Sequence, residues 1–221
     1  MAWDYAAQIH ALTGFDADDI EGESETGDTY SVLANRWLTD AAKEVINILP
    51  PSLLKLCTST SSFTSAAVGS EAETLNTGKV LSVFAGNYEA RPISSNLKHR
   101  VNNSGSLEYA TSTDPAFYIE SNKINVLPAS LSCKYEEVQY PAVSYNATSI
   151  SVFPDEAEHL VVLRAAITAA EYKLAIEEDV DLYAPIITSL KAQYQEGINA
   201  LKTGNTASPK KDIRIAQEGA R

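Results

Sequence analysis

The last third of the chain carries apolar residues at helical spacing on two faces. After Phe153, one stripe steps by three and four residues: Leu160, Leu163, Ile167, Ala170 and Leu174. A second stripe on the same segment consists of Val162, Ala166, Ala169 and Ile176. The next segment has one stripe, formed by Tyr183, Ile187, Leu190, Tyr194, Ile198 and Leu201. Because this is the period of an amphipathic α-helix, the spacing predicts two long helices that pack antiparallel between residues 153 and about 201.

Residues at the ends of the two segments agree with helix boundaries. Pro154 followed by Asp155 suits a first turn, where proline loses no hydrogen bond and an acid meets the positive end of the helix. Residues 179–181 then mark the break between the helices. Pro185 fits the start of the second helix, since it falls within about one turn of that start.

Two stripes on one helix have two explanations. A core helix of a bundle is covered on both sides by its own chain, whereas an interface helix presents one stripe to a neighbouring subunit. Periodicity is the same in both cases, so both interpretations stay open. The residues expected in the bundle core or at a subunit interface are Leu160, Leu163, Ile167, Leu174, Ile187, Leu190 and Tyr194.

The preceding residues alternate between helical and strand patterns. Helices are predicted at 3–12 and 31–49, the second being stopped by Pro50 and Pro51, with a short helix within 92–100. Strands are predicted at 79–85, 107–110, 116–120, 123–127 and 133–140. Ser121 and Asn122 fit a two-residue hairpin turn. Residues 58–78 are rich in serine, threonine and other small residues, which indicates a loop with room for one edge strand.

The order of these elements predicts an α+β protein. We expect a helical bundle built from both chain ends, residues 1–57 and 150–203, with an antiparallel β module at 58–149 inserted between them. Residues 204–221 are expected to form an extended, flexible C-terminal tail.

Charge is distributed unevenly along the chain, which has 221 residues and a net charge of −12. Residues 1–40 hold nine acids against the single base Arg36, a net −8, whereas residues 202–221 hold five bases against two acids, a net +3. A tail of this sign suits an acidic partner surface, and the alternative is a solvated end. The acidic body argues against duplex-DNA binding, which needs clustered Lys and Arg.

The spacing of the glycine, acidic and histidine residues matches no known motif for catalysis or metal binding. Gly78 and Lys79 are followed by Val80 and lack the glycine pattern of a phosphate-binding loop. The acidic loop at 16–28 places Glu21 where a calcium-binding EF-hand loop requires glycine, so a solvated loop is favoured over a weak cation site. His10, His99 and His159 are isolated from one another in sequence. We therefore expect no catalytic residue, no metal and no cofactor.

Two widely separated cysteines, Cys57 and Cys133, indicate a reduced cytoplasmic origin. The N-terminal residues lack the pattern of a secretory signal, and the sequence holds no apolar stretch of about 18 residues. The expectation is a protein that neither enters nor crosses a membrane.

Three runs of sequence resemble virion proteins of tailed bacteriophages, in particular their head-to-tail connector or adaptor proteins. The runs are residues 37–50 (WLTDAAKEVINILP), 114–128 (DPAFYIESNKINVLP) and 152–163 (VFPDEAEHLVVL), the last followed by an alanine-rich helix. The resemblance lies in pattern and order over residues 30–203. The acidic N-terminal region has no counterpart in it.

The resemblance implies a non-enzymatic virion protein at the head–tail junction, made in the host cytoplasm. It implies a ring, commonly of twelve subunits, that docks beneath the portal protein, continues the DNA channel without binding DNA specifically and recruits tail or nozzle proteins. It also implies a C-terminal segment that reaches onto the portal. The residues expected to make that contact are Lys210, Lys211, Ile213, Arg214 and Ile215.

Two other functions stay open at this point. Another phage neck or tail-tube protein would share the α+β pattern without needing a portal-binding tail. A small hydrolase, with catalytic residues brought together from distant segments, is the third hypothesis. An enzyme should present a deep pocket with convergent polar groups, whereas an adaptor should present apolar surface on the isolated subunit.

Overall fold

A computed structural model describes residues 3–15, 29–70 and 73–206 of the protein. The chain is a mixed α+β protein, as predicted. Its described residues divide into a helical unit, drawn from Met1–Leu53 and Pro141–Arg221, and a β unit at Leu54–Tyr140. The acidic loop at 16–28 and the portal-docking residues Lys210, Lys211, Ile213, Arg214 and Ile215 lie outside the described residues.

The helical unit is organised around one central helix. Its helices are α1 (Tyr5–Thr13), α2 (Tyr30–Ile48), most of the short α3 (Pro51–Leu54), α5 (Asp155–Glu177) and α6 (Val180–Thr206), while the short α4 (Lys98–Val101) belongs to the β unit. Helix α5 packs against α1, α2 and α6. A helix with neighbours on several sides must be apolar on several sides, which is the physical origin of its two stripes.

Both stripes of α5 are largely buried within one chain. Leu160, Leu163 and Ile167 of the first stripe are buried, as are Val162, Ala166 and Ala169 of the second. Leu174 is partly buried, and Ile187, Leu190 and Tyr194 of α6 are buried. These residues are buried as core positions are, whereas Ile176, the last residue of the second stripe, is exposed.

A polar contact joins the three long helices. The Glu44 carboxylate on α2 accepts a hydrogen bond from Arg164 Nε on α5 at 2.7 Å and one from the Tyr194 hydroxyl on α6 at 3.2 Å. The pKa of Tyr194 is raised to about 12. Burial is the largest cause, and the negative charge of Glu44 and its hydrogen bond to the hydroxyl add to it. The hydroxyl thus remains a proton donor to Glu44 at neutral pH.

The β unit contains two four-stranded sheets. The first sheet has the order β1 (Thr58–Thr64), β8 (Ser132–Val138), β3 (Val80–Ala85), β4 (Tyr88–Glu89), and all of its pairs are antiparallel. The second has the order β2 (Glu73–Thr74), β7 (Lys123–Leu127), β6 (Ala116–Glu120), β5 (Arg91–Pro92), and β5 runs parallel to β6. Buried residues of both sheets form one apolar cluster that includes Val83, Ile124, Val126 and Tyr135.

The predicted hairpin between β6 and β7 is confirmed. Ser121 and Asn122 have φ angles of 50° and 60°, and Glu120 pairs directly with Lys123. Positive φ at both central residues is characteristic of a type I′ turn, whose backbone twist matches that of the flanking strands. The short helix within 92–100 is also present in part, as a 3₁₀ turn at Ser95–Leu97 followed by α4 (Lys98–Val101).

Two strand predictions need correction. Residues 107–110 form turns and irregular structure instead of a strand, and Leu107 is fully exposed. Residues 58–64, predicted as loop with room for an edge strand, form the seven-residue strand β1. The difference arises from pairing, because β1 has β8 as its partner along its whole length, whereas residues 107–110 belong to no sheet.

Candidate functional site

The turn between α5 and α6 presents apolar side chains to solvent. Ile176 is 37% exposed, Val180 60% and Leu182 53%. We call these three residues the hairpin tip. Three exposed apolar residues around the end of a helix pair make this turn a candidate protein-binding surface.

The backbone of the hairpin tip is held by its own hydrogen bonds. The amide N–H of Glu178, a residue in the left-handed region with φ of 55°, donates to the Leu174 carbonyl at 3.0 Å and closes α5. The side chain of Asp179 accepts from Leu182 N at 3.1 Å, as an N-terminal cap does for a new helix. Helix α6 therefore begins at Val180, one residue after the cap, and includes Asp181 and Pro185.

A buried polar group lies beneath the hairpin tip. Lys173, only 3% exposed, donates to Glu177 Oε1 at 2.9 Å, and the Tyr183 hydroxyl donates to Glu177 Oε2. The ring of Tyr183 also meets Phe15 edge-on at 5.5 Å. These contacts connect the end of α5 to the start of α6, so the tip side chains project from an ordered base.

The protonation states at this base follow from the same hydrogen bonds. The hydrogen bonds from Tyr183 and Lys173 lower the pKa of Glu177, and the bond to Glu177 raises the pKa of Tyr183 to about 12. Glu177 is thus a carboxylate at neutral pH, next to the acids Glu178, Asp179 and Asp181. The tip combines apolar side chains with a negative surround, which suits a partner that offers an apolar pocket with a basic rim.

The residues predicted from the sequence as core or interface lie elsewhere. Buried along the helices are Leu160, Leu163, Ile167, Ile187, Leu190 and Tyr194, and Leu174 is partly buried two residues before Ile176 of the tip. Sequence reasoning missed Val180 and Leu182 as surface residues. The available signal was their position among acids at the predicted helix break, where apolar side chains have no helix face to join.

The β unit contains a polar pocket of about 190 Å³. Across it, Lys98 Nζ lies 2.6 Å from Glu120 Oε2 and 5.8 Å from the centre of the Tyr118 ring. The hydrogen bond to Glu120 raises the pKa of Lys98. Asn125 accepts from Ala66 N at 3.1 Å and donates to the Tyr118 hydroxyl at 3.1 Å. Each of these groups has a partner within the unit, so the contacts serve the fold.

Cys57 and Cys133 are free and buried. Burial raises the pKa of the Cys57 thiol to about 11 and raises that of Cys133 as well. Both thiols are therefore protonated at neutral pH, the form in which cysteine is a poor nucleophile and a poor metal ligand.

Within 3–15, 29–70 and 73–206, no cluster of three or more His, Cys, Asp or Glu residues is arranged to hold a metal ion. In the same part of the chain, none of the helices combines the length and apolar character that a membrane span requires. No protein-family model matches the chain, and no curated protein matches it.

Proposed function

We propose that the protein is a non-enzymatic structural component of a tailed-phage virion, a head-to-tail adaptor. In this proposal about twelve copies form a ring beneath the portal protein, continue the DNA channel and recruit tail or nozzle proteins. The resemblance of three sequence runs to connector proteins supports the family. The observation that carries the assembly role is the exposed, internally braced hairpin tip formed by Ile176, Val180 and Leu182.

The energetics of the hairpin tip favour docking. Burying one Val, Leu or Ile side chain contributes about 1.5–3 kcal/mol, and these three side chains are only partly buried in the isolated chain. Because the tip is braced by Lys173, Glu177 and Tyr183, little conformational entropy would be lost on binding. A ring that presents many such tips would bind a partner ring with added avidity.

The remaining parts of the chain take complementary roles in this proposal. The helical bundle built from both chain ends forms the ring body, the inserted β module faces neighbouring tail components, and the extended tail reaches the portal. A net charge of −12 suits a channel wall past which DNA moves without adhering. The tail, in contrast, carries bases that suit an acidic portal surface.

Native mass spectrometry with portal rings tests this proposal. The protein is measured alone and mixed with portal rings from the same phage, at matched salt. We expect a stoichiometric ring or one copy per portal subunit. A monomer that ignores the portal would overturn the proposal, and a ring that forms alone but ignores the portal would instead favour another neck or tail-tube component.

A tip variant tests the observation on which the proposal rests. The double substitution Val180→Ser with Leu182→Ser is expected to leave the fold intact and to weaken ring formation or portal binding by at least tenfold, about 1.4 kcal/mol. Val152→Ser is the control, because Val152 is an exposed valine of the same unit that precedes the first turn of α5, at the opposite end of that helix from the tip. Equal assembly by the two variants would contradict the role of the tip.

A further inference from the structure

Strand β1 forms one edge of its sheet and is hydrogen-bonded to β8 on one side. Hydrogen bonds at the two ends of β1 show which of its backbone groups point toward β8. The carbonyl of Cys57 accepts from Gln139 N at 2.7 Å, and Ser65 N donates to Leu131 O at 2.9 Å. The backbone N–H and C=O groups of the odd-numbered residues therefore point toward β8. Those of the even-numbered residues between them point to the opposite, open side of the strand.

Four residues of β1 thus present main-chain donors and acceptors at the open edge: Thr58, Thr60, Ser62 and Thr64. Among the described residues, none forms a backbone hydrogen bond with them on that side. The side chains of Thr60, Ser62 and Thr64 are exposed. An extended chain could therefore add to the sheet here without displacing a described backbone partner.

The other described sheet edges are protected, and β1 is not. The other edge strands, β2, β4 and β5, have two residues each, and β5 contains Pro92. Short strands, proline and bulges are devices that prevent edge pairing. Strand β1 has seven residues without proline, charge or bulge, which marks it as a pairing surface.

We infer that β1 pairs antiparallel with β1 of a second copy of this chain, about a two-fold axis at Ser61. In this register Thr58 lies opposite Thr64 and Thr60 opposite Ser62, so every outward-facing residue meets an outward-facing residue. The pairing forms about eight main-chain hydrogen bonds and joins the two sheets into one. Opposed Thr and Ser side chains add favourable cross-strand pairs.

The charges on β8 do not oppose this register, although at their separation in solvent they contribute little to the free energy of pairing. Ser62 is paired with Lys134 and Thr60 with Glu136 in the same sheet. With the axis at Ser61, each row across the joined sheet has Lys134 at one end and Glu136 of the other copy at its far end, about 14 Å away. A slide of two residues in one direction would place Lys134 opposite Lys134, and in the other direction Glu136 opposite Glu136.

This inference is independent of the ring proposal. Pairing of β1 is a two-fold contact, in which both copies use the same surface, whereas a ring closes through two different surfaces. One contact can therefore exist without the other, and each has its own test.

Register-specific cross-linking tests the inference on the full chain. Residues on the axis lie about 4.5 Å apart between Cα atoms, within the range that a disulfide spans. Ser61→Cys should give a disulfide-linked dimer under mild oxidation. Ser59→Cys is the matched control, because Ser59 is also half-buried on the same side of β1 but lies about 14 Å from its counterpart in this register.

A solution mass measurement completes the test. By light scattering, the wild type alone should contain an even number of 23.9 kDa chains, two if no ring forms and two rings if one does. Ser62→Pro, which removes one outward N–H and leaves the bonds to β8 in place, should halve this mass with an unchanged circular dichroism spectrum. A monomeric wild type, a dimer that survives Ser62→Pro, or equal cross-linking at positions 59 and 61 would overturn the inference, even if portal-bound rings were observed.

Discussion

Gly197 on α6 lies against Leu160 on α5 so closely that a β-carbon at position 197 would be 2.4 Å from Leu160 Cδ2. The same atom would lie 3.1 Å from His159 Nε2. Leu160 is 1% exposed, so its side chain would have to shift within the packed helical unit to admit another atom. The missing side chain at 197 is therefore what allows the two longest helices to approach each other at this point.

The first prediction concerns this contact. Gly197→Val should destabilise the helical unit by about 1–3 kcal/mol or more, because overpacking forces the helices apart. Chemical denaturation followed by circular dichroism measures the change. Asn199→Val is the matched control, since it places the same β-branched residue on the exposed side of α6 and should change stability by less than about 0.5 kcal/mol. Equal effects at the two positions would show that helix propensity, not the contact, governs the result.

The second prediction concerns a buried carboxylate in the β unit. Glu137, 1% exposed, accepts hydrogen bonds from Thr77 N at 2.5 Å and Gly78 N at 2.9 Å. Burial alone would raise its pKa, but the N–H groups of Thr77, Gly78 and Asn76 outweigh burial and lower the pKa below its usual value. A lowered pKa in the folded state means that this stabilisation is present above the unfolded-state pKa of about 4.5 and is lost as pH falls through the folded-state pKa.

Glu137→Gln should accordingly destabilise the β unit by about 1–3 kcal/mol at pH 7 and flatten the acid side of its stability profile. Urea denaturation between pH 3 and pH 7 measures both effects. Glu136→Gln is the matched control, because Glu136 is the adjacent residue on the other face of β8 and its carboxylate bonds to Ser82. An unchanged acid slope in Glu137→Gln would refute the assignment of this slope to Glu137.

The third prediction tests the core assignment of α5. Leu163 is buried, so Leu163→Asp would place an unpaired charge in the helical unit and should abolish folding or lower stability by more than about 4 kcal/mol. Ile176→Asp makes a comparable change at an exposed position of the same helix and should leave the fold intact. Soluble yield and thermal melting compare the two variants, and a Leu163→Asp protein that melts like the wild type would rule out the core assignment.

The fourth prediction concerns the portal-docking tail. The tail was predicted to begin at residue 204, but α6 continues to Thr206. Removal of residues 207–221 should leave the circular dichroism spectrum unchanged and weaken portal binding, more strongly at low salt because the tail bases contribute through charge. Reversing the charge of Lys210, Lys211 and Arg214 to Glu in the full chain separates charge from length. Portal affinity equal to that of the wild type at matched salt would argue against the tail as a docking element.

Local sequence signals predicted much of the secondary structure. The period of three and four residues located α2, α5 and α6, and Ser121 with Asn122 located the β6–β7 turn. These features depend on residues within a few positions of one another. Strand β1 was only weakly predicted, since its partner β8 begins about 70 residues later and pairing over that separation leaves no local pattern.

The candidate site was less accessible from the sequence. Val180 and Leu182 have the same apolar character as Ile187 and Leu190, yet the first two are exposed and the last two are buried. Their difference depends on where the chain reverses and which helix covers each position. Periodicity alone cannot supply that information, because it describes a single helix and not its neighbours.

The sequence by itself determined the helical period, the hairpin turn and the sign of the charge at each end of the chain. Only the tertiary structure decided that both stripes of α5 are covered by the protein's own chain except at Ile176, that the hairpin tip is exposed, and that β1 ends its sheet with an open edge. The physical reason is the separation along the chain of the residues that determine each feature. Backbone conformation responds to adjacent residues, whereas burial and strand pairing depend on contacts between segments that are far apart in the chain.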